Sequence, residues 1–231
     1  MGLDDQGAIA ISNGTRQNSI DLCTIFVRSS VVNQTLSDVE IRVLGSLVEK
    51  EITTPDYYPL SLNALVAACN QSSNRNPVTH FDEETVARAA DTLRDRKLVH
   101  LVDRFESRVS KYRHVLYETM NLGRPAIAVM CVLMLRGPQT IGEIRTRSAR
   151  LYDFGSLDQV ETTLNSLISS EPPLVVRLPR QVGQKEVRYA HLLSGEVKFT
   201  EPEPELDRLG KLEKEVEDLK QQFEQFRKQF E

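Results

Sequence analysis

Three arginines stand close together in the second half of the chain, at Arg145, Arg147 and Arg150, with Tyr152 just beyond them. A guanidinium group matches a phosphate as a two-pronged hydrogen-bond donor, and a tyrosine beside it can stack or donate a hydrogen bond. The cluster therefore indicates contact with phosphates. In the alternative interpretation, which stays open, these arginines are structural and pair with nearby acids (Glu143, Asp153 or Asp158).

A second candidate is the loop from Asn70 to Asn76, which contains Asn74 and Arg75. Asparagine and arginine pair bidentately with adenine and guanine edges, and in a helix-turn-helix such a loop leads into the helix that reads nucleic acid. A solvated turn whose Asn and Ser side chains satisfy backbone amides explains the same residues equally well. The next helix begins Asp82-Glu83-Glu84, and those carboxylates would repel phosphates.

A third candidate is the charged loop of a predicted hairpin, with Arg104, Lys111 and Arg113. Loops of this kind lie against the sugar-phosphate backbone in winged helices. The alternative is a solvated sheet edge whose charges discourage aggregation. The hairpin near Lys185 allows the same two interpretations.

Catalytic motifs are missing from the sequence. The histidines have no metal-ligand spacing with cysteine or carboxylate, and there is no Walker loop, GxGxxG turn or GxSxG elbow. We therefore predict a protein that is not an enzyme and that uses no metal and no cofactor. His100 and His114 could meet across the first hairpin, although ordinary strand positions are the simpler interpretation.

Composition is that of ordinary globular material, with 40% apolar and 27% charged residues among 231. The longest apolar run, from Ala126 to Leu135, is too short to cross a bilayer and suits a buried helix. The separated cysteines Cys23, Cys69 and Cys131 predict reduced thiols in a cytoplasmic protein. The net charge is −4, and residues 121–195 carry only nine basic against six acidic groups, which is a weak footprint for a duplex-binding surface.

Helix caps and apolar periodicity predict a first set of elements. A capping box at Ser37 and Glu40 opens a helix that Pro55 stops, and Ser61 and Asp82 cap two more helices. An extended piece precedes the second helix, and two strands follow the third. These extended segments are Tyr57–Leu60, Leu98–Val102 and Tyr112–Tyr117.

The same order then repeats. A nearly all-apolar helix runs between Pro125 and Gly137, and capping boxes open two further helices, at Thr140 with Glu143 and at Ser156 with Gln159. Strands are predicted over Leu174–Leu178 and Glu186–Leu193. Three helices and a hairpin, twice over, are typical of the winged helix-turn-helix.

The spacing of apolar residues changes in the C-terminal segment. Apolar residues from Leu209 to Phe230 alternate three and four apart, which predicts a coiled-coil helix. The fold class is therefore α+β, mainly helical, with two tandem winged helix-turn-helix domains plus a C-terminal coiled-coil helix. The predicted boundaries are 1–35 for a disordered leader, 36–120 and 121–195 for the two domains, 196–205 for a linker and 206–231 for the coiled coil.

Three strings carry a resemblance to a known family: TTPDYYPLSLNALVAACNQSSNRNPV (53–78), LRGPQTIGEIRTRSARLYDF (135–154) and KEVRYAHLLSG (185–195). The chain resembles the YceH-like family of uncharacterised bacterial proteins over residues 36–195. The resemblance implies a double winged-helix fold in the bacterial cytosol, and it implies no particular activity.

We predict a DNA-associated regulatory or accessory factor that binds duplex DNA mainly through phosphate contacts. The alternative is a protein–protein interaction scaffold of the kind found in chromosome-segregation complexes. Residues 206–231 would bind a protein partner or a second copy of the chain, and no membrane association is expected.

Overall fold

The computed structural model describes residues 35–102, 109–180 and 184–196, together with five positions near the C-terminus (Lys214, Val216, Glu217, Lys220 and Phe223). The protein is α+β and about half helical, with small antiparallel sheets. Residues 35–178 and 188–196 belong to one compact unit. Each helix among the described residues is too short or too polar to span a bilayer.

The first half of this unit, residues 36–120, begins with helix α1. Its other elements follow in chain order, and a short 3₁₀ turn over Pro55–Tyr57 lies between α1 and β1. The strands pair antiparallel in the order β1-β3-β2, with Leu60 opposite Tyr112 and Val99 opposite His114. The bounds are α1 Asp38–Thr53, β1 Leu60–Ser61, α2 Leu62–Cys69, α3 Glu83–Asp95, β2 Val99–Val102, β3 Lys111–His114 and α4 Leu116–Met120.

The second half of this unit, residues 121–178 and 188–195, repeats this order without a separate first strand. In its place Gln139 makes a single antiparallel bridge to Tyr189, and β4 pairs with β5 so that Val176 lies opposite Ala190. The bounds are α5 Arg124–Arg136, α6 Ile141–Ser148, α7 Leu157–Ile168, β4 Val175–Arg177 and β5 Tyr189–His191.

Most of the predicted caps are confirmed. Ser37 and Glu40 form the reciprocal capping box of α1, Thr140 and Glu143 form that of α6, and Asp82 accepts from the Thr85 amide at the start of α3. The third predicted box is half correct. Ser156 caps α7, but the Gln159 side chain accepts from the amide of Gly155 rather than from that of Ser156.

Two predicted extended segments are correct only in part. Tyr57 belongs to a 3₁₀ turn over Pro55–Tyr57, because Pro55 suits the first position of a helical turn, whereas Tyr58 is extended and Leu60 belongs to β1. Beyond His114 the chain turns into α4, whose buried Leu116 and Met120 lie four apart on one face. Of the predicted strand over Glu186–Leu193, residues 189–191 form β5, and backbone hydrogen bonds of Arg188 and Leu192 to the other segment flank it. His114 lies opposite Val99, so it does not meet His100 across the hairpin.

The core runs through both halves because α1 packs against α5. Helix α5 is buried from Ile127 to Leu135, as its apolar sequence predicts. Gly45 of α1 allows the close approach, since a Cβ built there would lie 2.9 Å from Cδ2 of Leu135. The thiol of Cys131 lies 3.6 Å from the Gly45 carbonyl oxygen. Cys131 and Cys69 are both buried and form no disulfide.

His191 on β5 gives the fold a pH dependence. Burial lowers the pKa of His191 from 6.5 to about 4, and its Nδ1 has no hydrogen-bond partner among the described residues. Between pH 6.5 and about 4, His191 is protonated in the unfolded chain and neutral in the folded chain. The free energy of unfolding should therefore decrease as pH drops from 6.5 towards 4. We expect a loss of about 2–3 kcal/mol from this group.

The measurement is urea unfolding at several pH values between neutral and mildly acidic, for the wild type and for His191→Gln. Glutamine cannot titrate, so the stability difference between the two proteins should narrow as pH falls. A difference that stays constant with pH would show that His191 does not carry this effect.

The predicted leader lies outside the described residues apart from Thr35, and so do the linker beyond Glu196 and most of the coiled coil. Within the C-terminal segment, the five described residues are helical and exposed. Val216 is 50% and Phe223 66% exposed.

Candidate functional surface at the junction of the two halves

Helix α6 and the turn after it position the arginine cluster. The capping box fixes the start of α6, because the amide of Thr140 donates to Oε2 of Glu143 over 2.9 Å. Arg145 lies on the outer side and folds back to donate to the carbonyl oxygens of Phe154, at 3.1 Å, and Gly155, at 3.2 Å. Arg145 therefore tethers the loop before α7.

Glu143 is shared between two arginines. Its Oε1 lies 3.4 Å from Nη2 of Arg147, and its Oε2 lies 2.8 Å from Nη1 of Arg188 on the second hairpin. Burial alone would raise the pKa of Glu143, but the Thr140 amide and the two guanidinium groups outweigh burial and lower it. The pairing of Arg147 with Glu143 is the structural alternative predicted for this cluster.

Arg75 and Arg150, predicted as separate contacts, meet at one buried carboxylate. Glu49 of α1 binds Nη2 of Arg75 through Oε2 at 2.6 Å and Nη2 of Arg150 through Oε1 at 3.0 Å. The side chain of Arg75 is fully buried and also donates to the Ala68 carbonyl oxygen, whereas that of Arg150 is 54% exposed. Arg75 is thus enclosed in the protein, and nucleic acid would reach it only if this pair broke.

The loop from Asn70 to Asn76 is a contact between the halves. Asn74, in the left-handed backbone region with φ 60°, accepts a hydrogen bond from Arg136 through its side-chain oxygen. The amide of Asn76 donates to the carbonyl oxygen of Leu135 over 3.0 Å. The polar groups that suggested base recognition are therefore engaged at the C-terminal end of α5.

A concentration of positive charge remains at the surface here. The pKa of Arg136 is lowered, first by burial and then by the nearby cations Arg147 and Arg150. Arg145 and Arg150 are exposed, and Arg147 is half-buried. We call Arg136, Arg145, Arg147 and Arg150 the arginine rim; the carboxylates of Glu49 and Glu143 offset part of its charge.

The remaining predicted residues lie apart from the rim. Tyr152 packs edge-on against Phe154, with ring centroids 4.8 Å apart, and lines a shallow pocket of about 310 Å³ beside α7. Lys111 is half-buried on β3, and Nη1 of Arg113 lies 3.5 Å from Oε1 of Glu118. Arg104 lies outside the described residues.

The third helix of each half exposes carboxylates. Along α3 and its cap, exposed acids outnumber exposed arginines, and Arg88 and Arg94 each pair with an acid of the same helix. Helix α7 contains no lysine or arginine at all and exposes Asp158 and Glu161. The exposed acids of α3 and its N-cap are Asp82, Glu83, Glu84, Asp91 and Asp95.

Two acidic residues of α1 that contact buried or candidate-site side chains, Glu49 and Glu51, were not identified from the sequence. Glu49 lies eight positions after Ile41 and four after Gly45, so the three share the helix face that packs on α5. That spacing was the available signal. Glu51, whose Oε2 lies 2.8 Å from Nε2 of buried His114, gives no such signal, because β3 brings the histidine to it from 63 positions further along the chain.

Comparison with known proteins places the chain among bacterial relatives. Residues 36–184 match the family described as "Protein of unknown function, DUF480". A UPF0502 protein of Opitutus terrae is 53% identical over 80% of this chain and 83% of its own length. One from Solibacter usitatus is 52% identical over 85% and 98%, and one from Geotalea daltonii is 48% identical over 82% and 99%.

The matched region spans both halves and includes Glu49, the loop from Asn70 to Asn76 and the arginine rim. It also agrees with the resemblance to the YceH-like family. The chain therefore belongs to the DUF480 family of bacterial UPF0502 proteins, whose function is unknown.

Proposed function

We propose that this chain is a tandem winged-helix protein that acts as a protein-interaction scaffold, with α3 and α7 as its docking helices. Support for the winged-helix assignment comes from the repeated element order and from the β1-β3-β2 arrangement of the first half. The bridge from Gln139 to Tyr189 stands where β1 stands in the first half.

The charge on the third helices carries the scaffold proposal. In a DNA-binding winged helix, the third helix enters the major groove between two rows of phosphates. Here the third helix of the first half, α3, and its cap expose five acids, and the third helix of the second half, α7, exposes only acidic or neutral side chains. In the major groove these carboxylates would lie close to the phosphates of the duplex, and charges of the same sign repel. A protein partner with a basic or neutral surface suits both helices better.

Charge reversal on these helices tests the proposal. Asp95→Lys with Glu161→Lys changes one exposed acid on each docking helix and leaves the buried core intact. We expect the partner that is crosslinked to the full-length chain in its host bacterium to be lost from this variant. A matched variant, Asp56→Lys with Glu171→Lys, changes two exposed acids elsewhere and should retain the same partner. Equal capture by both variants would contradict docking through α3 and α7.

The arginine rim favours a second candidate, which is duplex DNA bound through phosphates. Guanidinium groups in such a cluster suit phosphate oxygens, and Arg150 is still half-exposed beside its Glu49 partner. A surface of this kind would bind duplexes of any sequence, because guanidinium–phosphate contacts do not read bases.

A salt series with a labelled random duplex separates the two candidates. Binding through the rim should weaken with salt at a log–log slope of roughly 0.9 per phosphate contact. It should disappear in Arg145→Gln with Arg147→Gln, and persist in Arg88→Gln with Arg94→Gln on α3. Arg150 is kept, because its loss would unbalance buried Glu49. No binding at low salt would leave the protein scaffold as the remaining candidate.

A further inference from the structure

A cleft of about 670 Å³ lies between the two halves, on the side of α1 that carries Glu51. Its walls come from both halves: α1 and α4 contribute from the first, and the start of α5 and the turn after α6 contribute from the second. That volume is within the range of small-molecule clefts, roughly 300–1,000 Å³. The side chains that matter here are Glu51, Ile52, Tyr117, Leu122, Arg124 and Leu151.

Glu51 supplies a negative charge. The amide of Leu116 donates to Nδ1 of His114 over 3.2 Å and so orients the ring. Nε2 of that ring lies 2.8 Å from Oε2 of Glu51, so the imidazole lies directly against the carboxylate. Among the described residues, no lysine or arginine forms an ion pair with Glu51.

Arg124 supplies the opposite charge. It is the first residue of α5, it is exposed, and it has no hydrogen bond or ion pair within the described part of the chain. The pKa of Tyr117 is raised, first by burial and then by Glu51, while Arg124 opposes the shift. Both charges therefore act on the same tyrosine at the wall of the cleft.

We propose that this cleft binds a small zwitterion of the amino-acid class that carries an apolar side chain. An ammonium group suits Glu51 and a carboxylate suits Arg124, whereas a purely anionic or purely cationic ligand would meet one like charge. Ile52, Leu122 and Leu151 offer apolar surface for the side chain. A ligand here contacts both halves and stabilises their arrangement, whatever macromolecule the protein binds.

Binding of L-leucine to the full-length protein, measured by calorimetry and by ligand-observed NMR, tests the proposal. Two analogues each lack one charge: 4-methylpentanoate has no ammonium group and 3-methylbutylamine has no carboxylate. We expect each analogue to bind at least about tenfold more weakly than leucine, the effect of losing one charge-assisted contact. Leu-Leu serves as a longer probe, since the cleft exceeds the volume of one amino acid.

Variants assign each contact. Arg124→Gln should remove the preference for leucine over 3-methylbutylamine, and Glu51→Gln should remove the preference over 4-methylpentanoate. Arg177→Gln, an exposed cation on β4, is the control and should bind like the wild type. Thermal unfolding of each variant without ligand shows that it is folded. Absence of binding by leucine and Leu-Leu at millimolar concentration, or wild-type affinity in both cleft variants, would overturn the proposal.

Discussion

Replacing Arg75 by methionine should lower the free energy of unfolding by about 3–5 kcal/mol, because it strips a buried carboxylate of its closest cation. The Glu49 side chain is 4% exposed, and Arg75 approaches it to 2.6 Å. Arg150 would remain, but its guanidinium is half in solvent and compensates less. Urea unfolding followed by circular dichroism measures the loss.

A matched double variant distinguishes charge from packing. Glu49→Leu with Arg75→Met removes both members of the buried pair and keeps apolar volume in their place, so much of the lost stability should return. Arg150 then points into water, where an unpaired arginine costs little. If Arg75→Met alone lost less than about 1 kcal/mol, the pair would behave as a surface ion pair does, and the central role given to Glu49 would be wrong.

Replacing Gly45 by leucine should also be strongly destabilising, by about 1–3 kcal/mol or more, since it forces side-chain atoms into the α1–α5 contact. Even a Cβ at this position would lie 2.9 Å from Leu135 and 3.2 Å from the Cβ of Met134. Leucine is a better helix former than glycine, so a loss cannot come from helix propensity. Thermal and urea unfolding measure the change.

Gly142 in α6 provides the control. A Cβ there would meet only Thr140 Oγ1, at 4.0 Å. Gly142→Ala should therefore stabilise the protein, by up to about 1 kcal/mol, through helix propensity alone. Should Gly45→Leu prove as stable as the wild type, the two helices would not be in the tight contact described.

Local signals predicted most of the elements. Ser37 with Glu40, and Thr140 with Glu143, mark helix starts because a side chain meets an orphan amide only three residues away. The burial of α5 followed from a run of apolar residues with no polar face. The predictions were wrong where tertiary packing, rather than local sequence, determines the backbone conformation. After His114 the chain forms α4 instead of continuing as a strand, because Leu116 and Met120 pack into the core.

The candidate surface was harder to predict, since its partners come from distant parts of the chain. Arg75 and Arg150 were both predicted to bind phosphate. The residues next to them in the sequence do not show that each arginine pairs with Glu49. The acidic face of α3 was visible as Asp82-Glu83-Glu84. The structure exposes all three acids, and the sequence could show them because each belongs to one short run at a helix start.

One carboxylate that serves two arginines from different halves also restricts how this protein can change over time. A substitution at Glu49 alters the requirements at two other positions at once, one of them in the other repeat. Exchange of the second half for a diverged copy without Arg150 would leave Glu49 with Arg75 alone as its cation. A change in one half is therefore felt electrostatically at a buried group of the other.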